Sequence, residues 1–411
     1  MPYYRHMVAR SFWIRRIETA WERRSVVWLS GVRRVGKTVL SQTLGDIEYF
    51  DCEIPRDRGQ MDDPEGFLRS LEGKRVVLDE VHRLAEPSQL LKIAADYHPS
   101  VRILATGSST LQASTRFRDT LTGRKVDVWL TPMMSADLAD FSAADLPHRL
   151  RRGGLPPFFL AQSLAEREYE EWIDAYWARD IQELFRLERR WSFQRLLELL
   201  MASSGGLFEA SRLAAPCEIG RTTVSNYLDV LAATHVAHVV KPFSSRRSSE
   251  IVSMPRVYGF DTGFVCHFKG WDTLRPGDLG LLWEHYVLNE LHAQLAGSGV
   301  RICHWRDKRG HEVDFVIVRA TGVVAAIECK WAAEEFEPAG LQAFRLRYLA
   351  VDGSTGCENW VVASDVERPY RRTYRDIEVE FIGLPELSAR AEGLGCGGTG
   401  QTDIDRGALP G

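Results

Sequence analysis

A segment near the N-terminus combines two glycines with a lysine and a threonine at a spacing suited to phosphate chemistry. Gly31-Val32-Arg33-Arg34-Val35-Gly36-Lys37-Thr38 fits the pattern GxxxxGK[ST] at every fixed position, and Val39 follows it. Glycines let a backbone loop wrap closely around phosphates, and the N–H groups of the loop and of the following helix carry partial positive charge. We therefore predict that residues 31–39 bind ATP, with Lys37 on the β- and γ-phosphates and Thr38 on Mg²⁺.

A second group of residues supplies adjacent acids. The apolar run Arg75-Val76-Val77-Leu78 ends in Asp79 and Glu80. We expect Asp79 to hold the magnesium ion through water and Glu80 to act as a general base on the attacking water. The alternative is that both are solvated residues at the end of a strand. The complete phosphate loop upstream favours the catalytic interpretation.

Two further positions are candidates for the same site. The run ILATGSS ends in Thr106 and Ser108, whose hydroxyls could contact the γ-phosphate and the attacking water; an ordinary hydroxyl-rich turn is the alternative. Arg124, beside a glycine in LTGRK, could reach the γ-phosphate bound by a neighbouring subunit. The alternative for Arg124 is a solvated surface arginine.

Short apolar runs position these residues. They are VVWLSG (26–31), IEYFD (47–51), RVVLDE (75–80), RILATGS (102–108) and VDVWLTPM (126–133). Apolar runs without alternation, separated by amphipathic segments, predict strands buried on both faces of a parallel sheet. We therefore expect an α/β domain over residues 1–140. The strongly charged helical pattern that follows predicts a helical linker or lid over residues 141–200.

Taken together, the motifs resemble those of the bacterial and archaeal AAA-type ATPases of the P-loop superfamily that carry a long C-terminal domain of uncharacterised function. The matching segments are GVRRVGKT, VVLDEVHR, ILATGSS, LTGR, RGGLPPF, YWARDI, PRVYGFDTGF and WEHYVLNEL…HWRDKRGHEVDFVIV…IECK. The resemblance implies a multidomain α/β chain: a P-loop AAA-like parallel sheet with flanking helices, a winged helix (201–272) and a restriction-endonuclease-like α/β domain (273–387). It also implies that Arg124 acts in trans and that the protein is a homo-oligomer.

The middle segment has the pattern of a helix, a turn at Gly220 and a second helix. Val224, Leu228 and Leu231 recur at helical spacing and are expected to pack inward. DNA contacts are then expected from the outward residues near the start of the second helix and from basic residues further on: Arg221, Thr222, Ser225, Asn226, Lys241, Arg246 and Arg247. Docking of a protein partner is the alternative. The loop SSRRSS is richer in serine than expected for a wing.

The C-terminal segment contains a possible nuclease site. Glu328 and Lys330 share one face of the strand AAIECKW, and Asp314 precedes them on a neighbouring predicted strand. Glu284 lies on an apolar helix face, where a carboxylate needs a partner or a metal. We expect Asp314 and Glu328 to bind Mg²⁺, Lys330 to orient water and Glu284 to complete the site. This is similar to the D…ExK pattern of restriction-endonuclease-like enzymes; a fold retained without cleavage is the alternative.

The bulk composition limits the class of protein. The chain has 411 residues, 45% of them hydrophobic and 26% charged, with a formal net charge of −4, so a nucleic-acid partner must meet a local basic patch. Seven scattered cysteines predict no disulfide framework, and no apolar stretch predicts a leader or membrane span, so we expect a cytoplasmic location. Residues 388–411 are expected to be a disordered tail. The favoured hypothesis is a DNA-associated ATPase; the alternative is a nucleotide-gated protein-interaction switch with a catalytically silent nuclease-like domain.

Overall fold

The computed structural model describes residues 7–107, 115–142, 145–163, 165–182, 187, 189–244, 254–348 and 357–396. Within these residues the strands form one sheet of five and one of nine. No helix in this part of the chain has both the length and the apolar character needed to cross a membrane.

The first sheet contains five parallel strands in the order β2-β3-β4-β1-β5. They are β1 (Val26–Ser30), β2 (Ile47–Asp51), β3 (Arg75–Asp79), β4 (Arg102–Thr106) and β5 (Lys125–Trp129). Strands β1, β3 and β4 are almost entirely buried, as expected for a sheet covered on both faces. The predicted parallel sheet is confirmed.

Helices cover this sheet. They are α1 (Ser11–Arg23), α2 (Lys37–Gln42), α3 (Pro55–Gly59), α4 (Pro64–Ser70), α5 (Pro87–Tyr97) and α6 (Thr115–Leu121), with a 3₁₀ turn at Val81–Arg83. Because the strands are parallel, the segments after β1, β3 and β4 leave from one edge of the sheet. Chain topology therefore brings the glycine loop, the acid pair and Thr106 together.

A helical segment follows the first sheet. It contains α7 (Ser135–Asp140), α8 (Leu146–Arg152), α9 (Pro156–Phe159), α10 (Glu166–Tyr176), a π-helical turn (Trp177–Ile181) and α11 (Arg190–Ala202). Trp172, Tyr176 and Trp177 are buried on one side of α10 and its π-helical extension. This aromatic face is what fixes the segment against the rest of the molecule.

The next elements alternate short strands with two helices. They are β6 (Gly206–Leu207), α12 (Ala210–Ala214), α13 (Arg221–Ala233), β7 (Ala237–Pro242) and β8 (Arg256–Gly259). Strand β8 pairs antiparallel with both β6 and β7. Val224, Leu228 and Leu231 of α13 are buried, which confirms the predicted inward face of this helix.

The C-terminal elements extend the same sheet. They are α14 (Thr262–Lys269), α15 (Pro276–Leu295), β9 (Arg301–Arg306), β10 (Glu312–Arg319), β11 (Gly322–Lys330), α16 (Ala339–Tyr348), β12 (Glu358–Ala363), β13 (Tyr370–Tyr374), β14 (Ile377–Ile382) and α17 (Leu384–Cys396), with a 3₁₀ turn at Ala333–Glu335. The nine strands have the order β13-β14-β12-β11-β10-β9-β7-β8-β6. Parallel pairing of β7 with β9, with Lys241 opposite Cys303, makes the sheet continuous.

The expected disordered tail from residue 388 is wrong as far as Cys396, because α17 continues to that residue. Leu387 and Ala391 are buried, and the Ser388 hydroxyl donates a hydrogen bond to Glu290 of α15. The glycine-rich composition suggested disorder, but apolar residues at helical spacing dock this helix on α15.

Candidate functional site

The phosphate loop adopts backbone conformations that favour glycine. Gly31 has φ of +151° and Gly36 has φ of +103°. A Cβ atom at Gly31 would lie 2.5 Å from the Leu130 carbonyl oxygen, so a side chain cannot fit there. The two glycine positions of the motif are therefore required by the shape of the loop.

Lys37 closes the loop. Its Nζ atom donates hydrogen bonds to the Gly31 carbonyl at 2.8 Å and to the Val32 carbonyl at 3.3 Å. Burial lowers the pKa of Lys37, and the negative charges of Glu80, Asp180 and Asp79 oppose that shift. These carboxylates favour the charged ammonium group that a phosphate ligand requires.

Asp79 is held at the end of β3 by two hydroxyl groups. The Tyr49 hydroxyl donates a hydrogen bond to Asp79 Oδ2 at 2.6 Å, and the Thr106 hydroxyl donates one to Oδ1. Burial and the charge of Asp79 raise the pKa of Tyr49, so this phenol remains a donor at neutral pH. Both hydroxyls orient the carboxylate without neutralising it. Sequence reasoning missed Tyr49, although the adjacent pairing of β2 and β3 could have suggested it.

Glu80 occupies a left-handed backbone conformation, with φ of +55°. Its N–H donates a hydrogen bond to the Thr106 hydroxyl at 3.1 Å, and its Oε2 atom lies 3.1 Å from His82 Nδ1. Burial opposes ionisation, but the His82 hydrogen bond and the charge of Lys37 outweigh it and hold the pKa of Glu80 below its usual value. Glu80 is therefore an ionised proton acceptor beside the loop.

A cavity of about 570 Å³ lies next to the loop. Gly36, Lys37, Thr38, Val39 and Glu80 line one side of it. Five apolar wall residues outside the loop also line it: Val8, Phe141, Pro156, Pro157 and Leu160. Four of these five wall residues lie beyond residue 140, so the expected boundary between the ATPase domain and the helical segment runs through the site. Only the RGGLPPF match signalled this wall in the sequence.

The helical segment also contacts the loop directly. The Arg33 guanidinium lies 3.3 Å from Asp180, and Trp172 Nε1 donates a hydrogen bond to the Arg33 carbonyl at 3.1 Å. Arg179 and Asp180, from the π-helical turn, line the cavity. Single-turn π-helical features are frequent at functional sites.

Comparison with known proteins agrees with this geometry. A family model described as an AAA domain matches residues 23–138, and two models described as domains of unknown function match residues 143–275 and 279–385. Uncharacterized protein Rv2008c of Mycobacterium tuberculosis is 31% identical over 316 residues, covering 74% of this chain and 69% of its own length. Uncharacterized protein Mb2031c of Mycobacterium bovis has the same identity and coverage. The chain belongs to this family of AAA-domain proteins.

Two solved structures are similar over part of the chain. The Walker-type ATPase PABY2304 of Pyrococcus abyssi shares 16% identity at a TM-score of 0.40, covering 64% of this chain and 96% of its own. AMPPCP-bound DnaA from Aquifex aeolicus shares 14% identity at a TM-score of 0.28, covering 53% of this chain and 86% of its own.

The remaining residues proposed for the AAA domain lie in different places. Thr106 is buried between Asp79 and Glu80, as described above, whereas Ser108 lies outside the described residues. Arg124 directly precedes β5, at the edge of the sheet opposite the cavity, and its Nε atom donates a hydrogen bond to Asp96 at 2.7 Å. Arg124 therefore does not reach the nucleotide cavity of its own chain.

The residues proposed for DNA contact lie on α13 and β7. Arg221, Thr222 and Asn226 are exposed, and Ser225 is half-buried with its hydroxyl donating to the Arg221 carbonyl at 3.3 Å. Lys241 is exposed on β7, whereas Arg246 and Arg247 lie outside the described residues.

The proposed nuclease-like residues do come together on the large sheet. Asp314 and Glu328 are buried on adjacent strands β10 and β11. Lys330 Nζ donates a hydrogen bond to Glu328 Oε2 at 3.1 Å, and the Cys329 N–H donates one to Asp314 Oδ2 at 2.9 Å. Burial and the nearby charge of Asp314 raise the pKa of both Glu284 and Glu328.

Sequence reasoning missed two members of this cluster. Arg256 of β8 contacts Glu284, and the Tyr258 hydroxyl donates a hydrogen bond to the same carboxylate. These two residues alternate in the segment PRVYGF, so strand periodicity could have placed them on one face. Among the described residues, no group of three or more His, Cys, Asp or Glu side chains is arranged to hold a metal ion.

Proposed function

We propose that this protein binds ATP with Mg²⁺, hydrolyses it at the loop of its AAA domain, and acts on DNA through its C-terminal half. The observation that carries the ATPase proposal is the position of Glu80. This ionised carboxylate lines the same cavity as Lys37, whose positive charge helps to lower the pKa of Glu80, and the Glu80 N–H donates a hydrogen bond to the Thr106 hydroxyl. A carboxylate in this position can accept a proton from an attacking water.

The residues around the loop fit a magnesium ion that arrives with the nucleotide. Asp79 accepts hydrogen bonds from the hydroxyl groups of Tyr49 and Thr106, and Thr38 is exposed at the cavity. These two residues would hold the ion, and phosphate oxygens would complete its ligands. The ion would neutralise charge on the phosphates, while Lys37 binds them and Glu80 takes the proton.

The ATPase proposal is tested by two substitutions at the loop. Lys37→Ala should abolish nucleotide binding, measured with a fluorescent ATP analogue, because the phosphates lose their cation. Glu80→Gln should keep binding but lower the rate of phosphate release by at least about 100-fold, because the proton acceptor is lost. Glu48→Gln, an exposed carboxylate on β2, is the control and should behave like the parent. Hydrolysis by Glu80→Gln at the parental rate would remove Glu80 from the mechanism.

The proposed DNA contact is supported by the order and exposure of the elements from α11 to β8. A three-stranded antiparallel arrangement of β6, β7 and β8 beside α12 and α13 is the order expected for a winged helix. Arg221, Thr222 and Asn226 are exposed near the start of α13, where a recognition helix meets DNA. In the same way, the succession of α15, β9, β10, β11, α16 and β12 supports the nuclease-like fold.

DNA binding is tested by fluorescence anisotropy with duplex, single-stranded and branched oligonucleotides, with and without ATP. Arg221→Ala should weaken binding and should reduce the slope of log K against log salt by about 1, because one phosphate contact is lost. Arg371→Ala, an exposed arginine on β13, is the matched control. Absence of binding to every oligonucleotide would favour the alternative, a nucleotide-gated switch that docks a protein partner.

The position of Arg124 is compatible with the proposed homo-oligomer. This arginine lies at the end of the sheet opposite its own cavity, where it pairs with Asp96, so a contact with a γ-phosphate would have to be made at the site of a neighbouring subunit. Arg124→Ala and Glu80→Gln should each be weakly active alone, and their mixture should regain turnover, because each supplies what the other lacks. Recovery of no activity in the mixture would contradict a trans role.

A further inference from the structure

Arg256 lies at the centre of the carboxylate cluster in the C-terminal half. Its Nη1 atom is 3.2 Å from Glu284 Oε1 and 3.6 Å from Asp314 Oδ1, and its Nη2 atom is 2.7 Å from Glu312 Oε2. The residue is 8% exposed. A single buried guanidinium, carried by β8, therefore contacts three carboxylates from two other elements: α15 contributes Glu284, and β10 contributes Glu312 and Asp314.

Each carboxylate that could bind a divalent cation in this cluster already has at least one oxygen engaged by another group. Asp314 Oδ1 faces Arg256, and Oδ2 accepts the Cys329 N–H. Glu284 Oε1 accepts hydrogen bonds from both Arg256 and Tyr258. Glu328 is paired with Lys330. A cation bound to Asp314 would lie against the guanidinium, and like charges in a buried site repel strongly.

Strand pairing holds the backbone of Arg256 in position beside the carboxylates. It is paired on both sides within the sheet, opposite Leu207 of β6 and opposite Val240 of β7. Strand β7 in turn pairs with β9. Strand β8, which carries Arg256, therefore belongs to the same sheet as the strands that carry Asp314 and Glu328.

We propose that the Arg256 guanidinium takes the place of a divalent cation in this cluster. The C-terminal half then binds no catalytic metal and cleaves no phosphodiester, and the ion-pair cluster instead joins β8 to α15 and β10. The proposal concerns the nuclease-like domain of the proposed function and is independent of ATP hydrolysis at the AAA domain.

The test is Mn²⁺ binding to the full chain without nucleotide, measured by isothermal titration calorimetry. Every variant carries Asp79→Asn, which removes the carboxylate expected to hold a cation in the AAA domain. With Arg256 present, binding should be unchanged by Asp314→Asn. Arg256→Gln should create one site at least about tenfold tighter than any in its parent, and adding Asp314→Asn should abolish it. Arg256→Lys, which keeps the positive charge, should create none.

Three results would overturn the proposal. The first is Mn²⁺ binding by the protein that retains Arg256, if Asp314→Asn removes that binding; this comparison does not require Arg256→Gln to fold. The second is a folded Arg256→Gln protein, judged by circular dichroism, that gains no site. Metal-dependent cleavage of single-stranded, duplex or branched DNA that Asp314→Asn abolishes would also overturn it. ATP turnover is assayed in proteins that retain Asp79. In these, Arg256→Gln should turn over ATP within about twofold of the parent rate, so a failure of the ATPase proposal would be seen separately.

Discussion

The molecule has two acidic sites at strand ends, and they differ in their partners. In the AAA domain, buried Asp79 accepts hydrogen bonds from the hydroxyls of Tyr49 and Thr106, and the next residue, Glu80, lines the cavity beside the phosphate loop. In the C-terminal cluster, Asp314 faces Arg256, and Glu328 is paired with Lys330. Hydroxyl partners orient a carboxylate and leave its charge for an incoming cation, whereas a guanidinium neutralises it. Whether a carboxylate can bind a metal ion therefore depends on the charge of its hydrogen-bond partners as well as on the carboxylate.

The largest expected difference between the two sites is in ATP turnover. Asp79→Asn should lower the steady-state rate of phosphate release by at least about 100-fold, because the magnesium ion loses its protein carboxylate. Asp314→Asn removes the same charge from the other site and should stay within about twofold of the parent. Equal losses in the two variants would show that the sites do not act separately.

The free energy of unfolding should be affected more by Asp314→Asn than by Asp79→Asn, the reverse of the order expected for ATP turnover. Asp314→Asn should lower the free energy of unfolding by about 2 kcal/mol, because it takes a charged partner from buried Arg256 and from the Cys329 N–H. Asp79→Asn should cost little, because its partners are neutral hydroxyls. Urea denaturation of both variants, followed by fluorescence, measures the difference. A larger loss in Asp79→Asn would contradict the distinction between a carboxylate paired with arginine and one held by neutral hydroxyls.

The stability of the protein should depend on pH through a cluster of buried histidines that joins the AAA domain to the C-terminal half. Trp129 of β5 packs against His235, His238 and His292 at centroid distances of 4.4, 5.4 and 5.0 Å. Burial lowers the pKa of His235 to about 3 and that of His292 to about 4, and it lowers that of His238 as well. These histidines bind protons in the unfolded chain before they do so in the folded one. Stability should therefore fall as the pH is lowered from about 6.5 towards 4, by at most about 1.4 kcal/mol per pH unit for each histidine.

His292→Gln isolates this contribution. The raised pKa values of Glu284 and Glu328 act with the opposite sign, because these carboxyls keep protons longer in the folded chain, so the slope of the parent is a net value. The substitution should flatten the fall in melting temperature below pH 6.5, whereas His311→Gln, on the hairpin between β9 and β10, should not. An unchanged slope in His292→Gln would exclude the buried histidine as a cause.

The smallest expected effect concerns Asp180, an acidic residue that forms an ion pair with Arg33 beside the phosphate loop. Asp180→Asn removes a negative charge beside the phosphate loop and frees Arg33, so ATP affinity should rise about threefold. Titration with a fluorescent ATP analogue measures this change, with Asp174→Asn, an exposed acid on α10, as the control. Weaker binding would show instead that the pair between Arg33 and Asp180 holds the loop in its binding shape.

Local patterns were sufficient to predict part of this structure. The apolar runs predicted β1 to β5 within a few residues, because strands buried on both faces carry uninterrupted apolar sequence. The glycine spacing predicted the loop, because only glycine fits beside the Leu130 carbonyl. Both signals are contained in single short segments.

Contacts between distant segments could not be predicted in the same way. Tyr49, Pro156 and Arg256 reach their sites through strand pairing and helix packing that no local pattern specifies. Arg256 lies 58 positions from Asp314 in the chain and meets it only because β7 pairs with β9. Helix α17 was missed because the glycine-rich composition suggested disorder, whereas the burial of Leu387 and Ala391 becomes evident only when the helix is packed against α15.

The shared sheet has a practical consequence for dividing the chain. A fragment that starts at residue 273 would leave the outer edge of β9 without its neighbour β7 and would strip Glu284, Glu312 and Asp314 of their arginine. An uncovered strand edge next to unbalanced buried acids favours self-association over folding. The smallest fragment of this half that keeps all nine strands of the sheet therefore begins before β6.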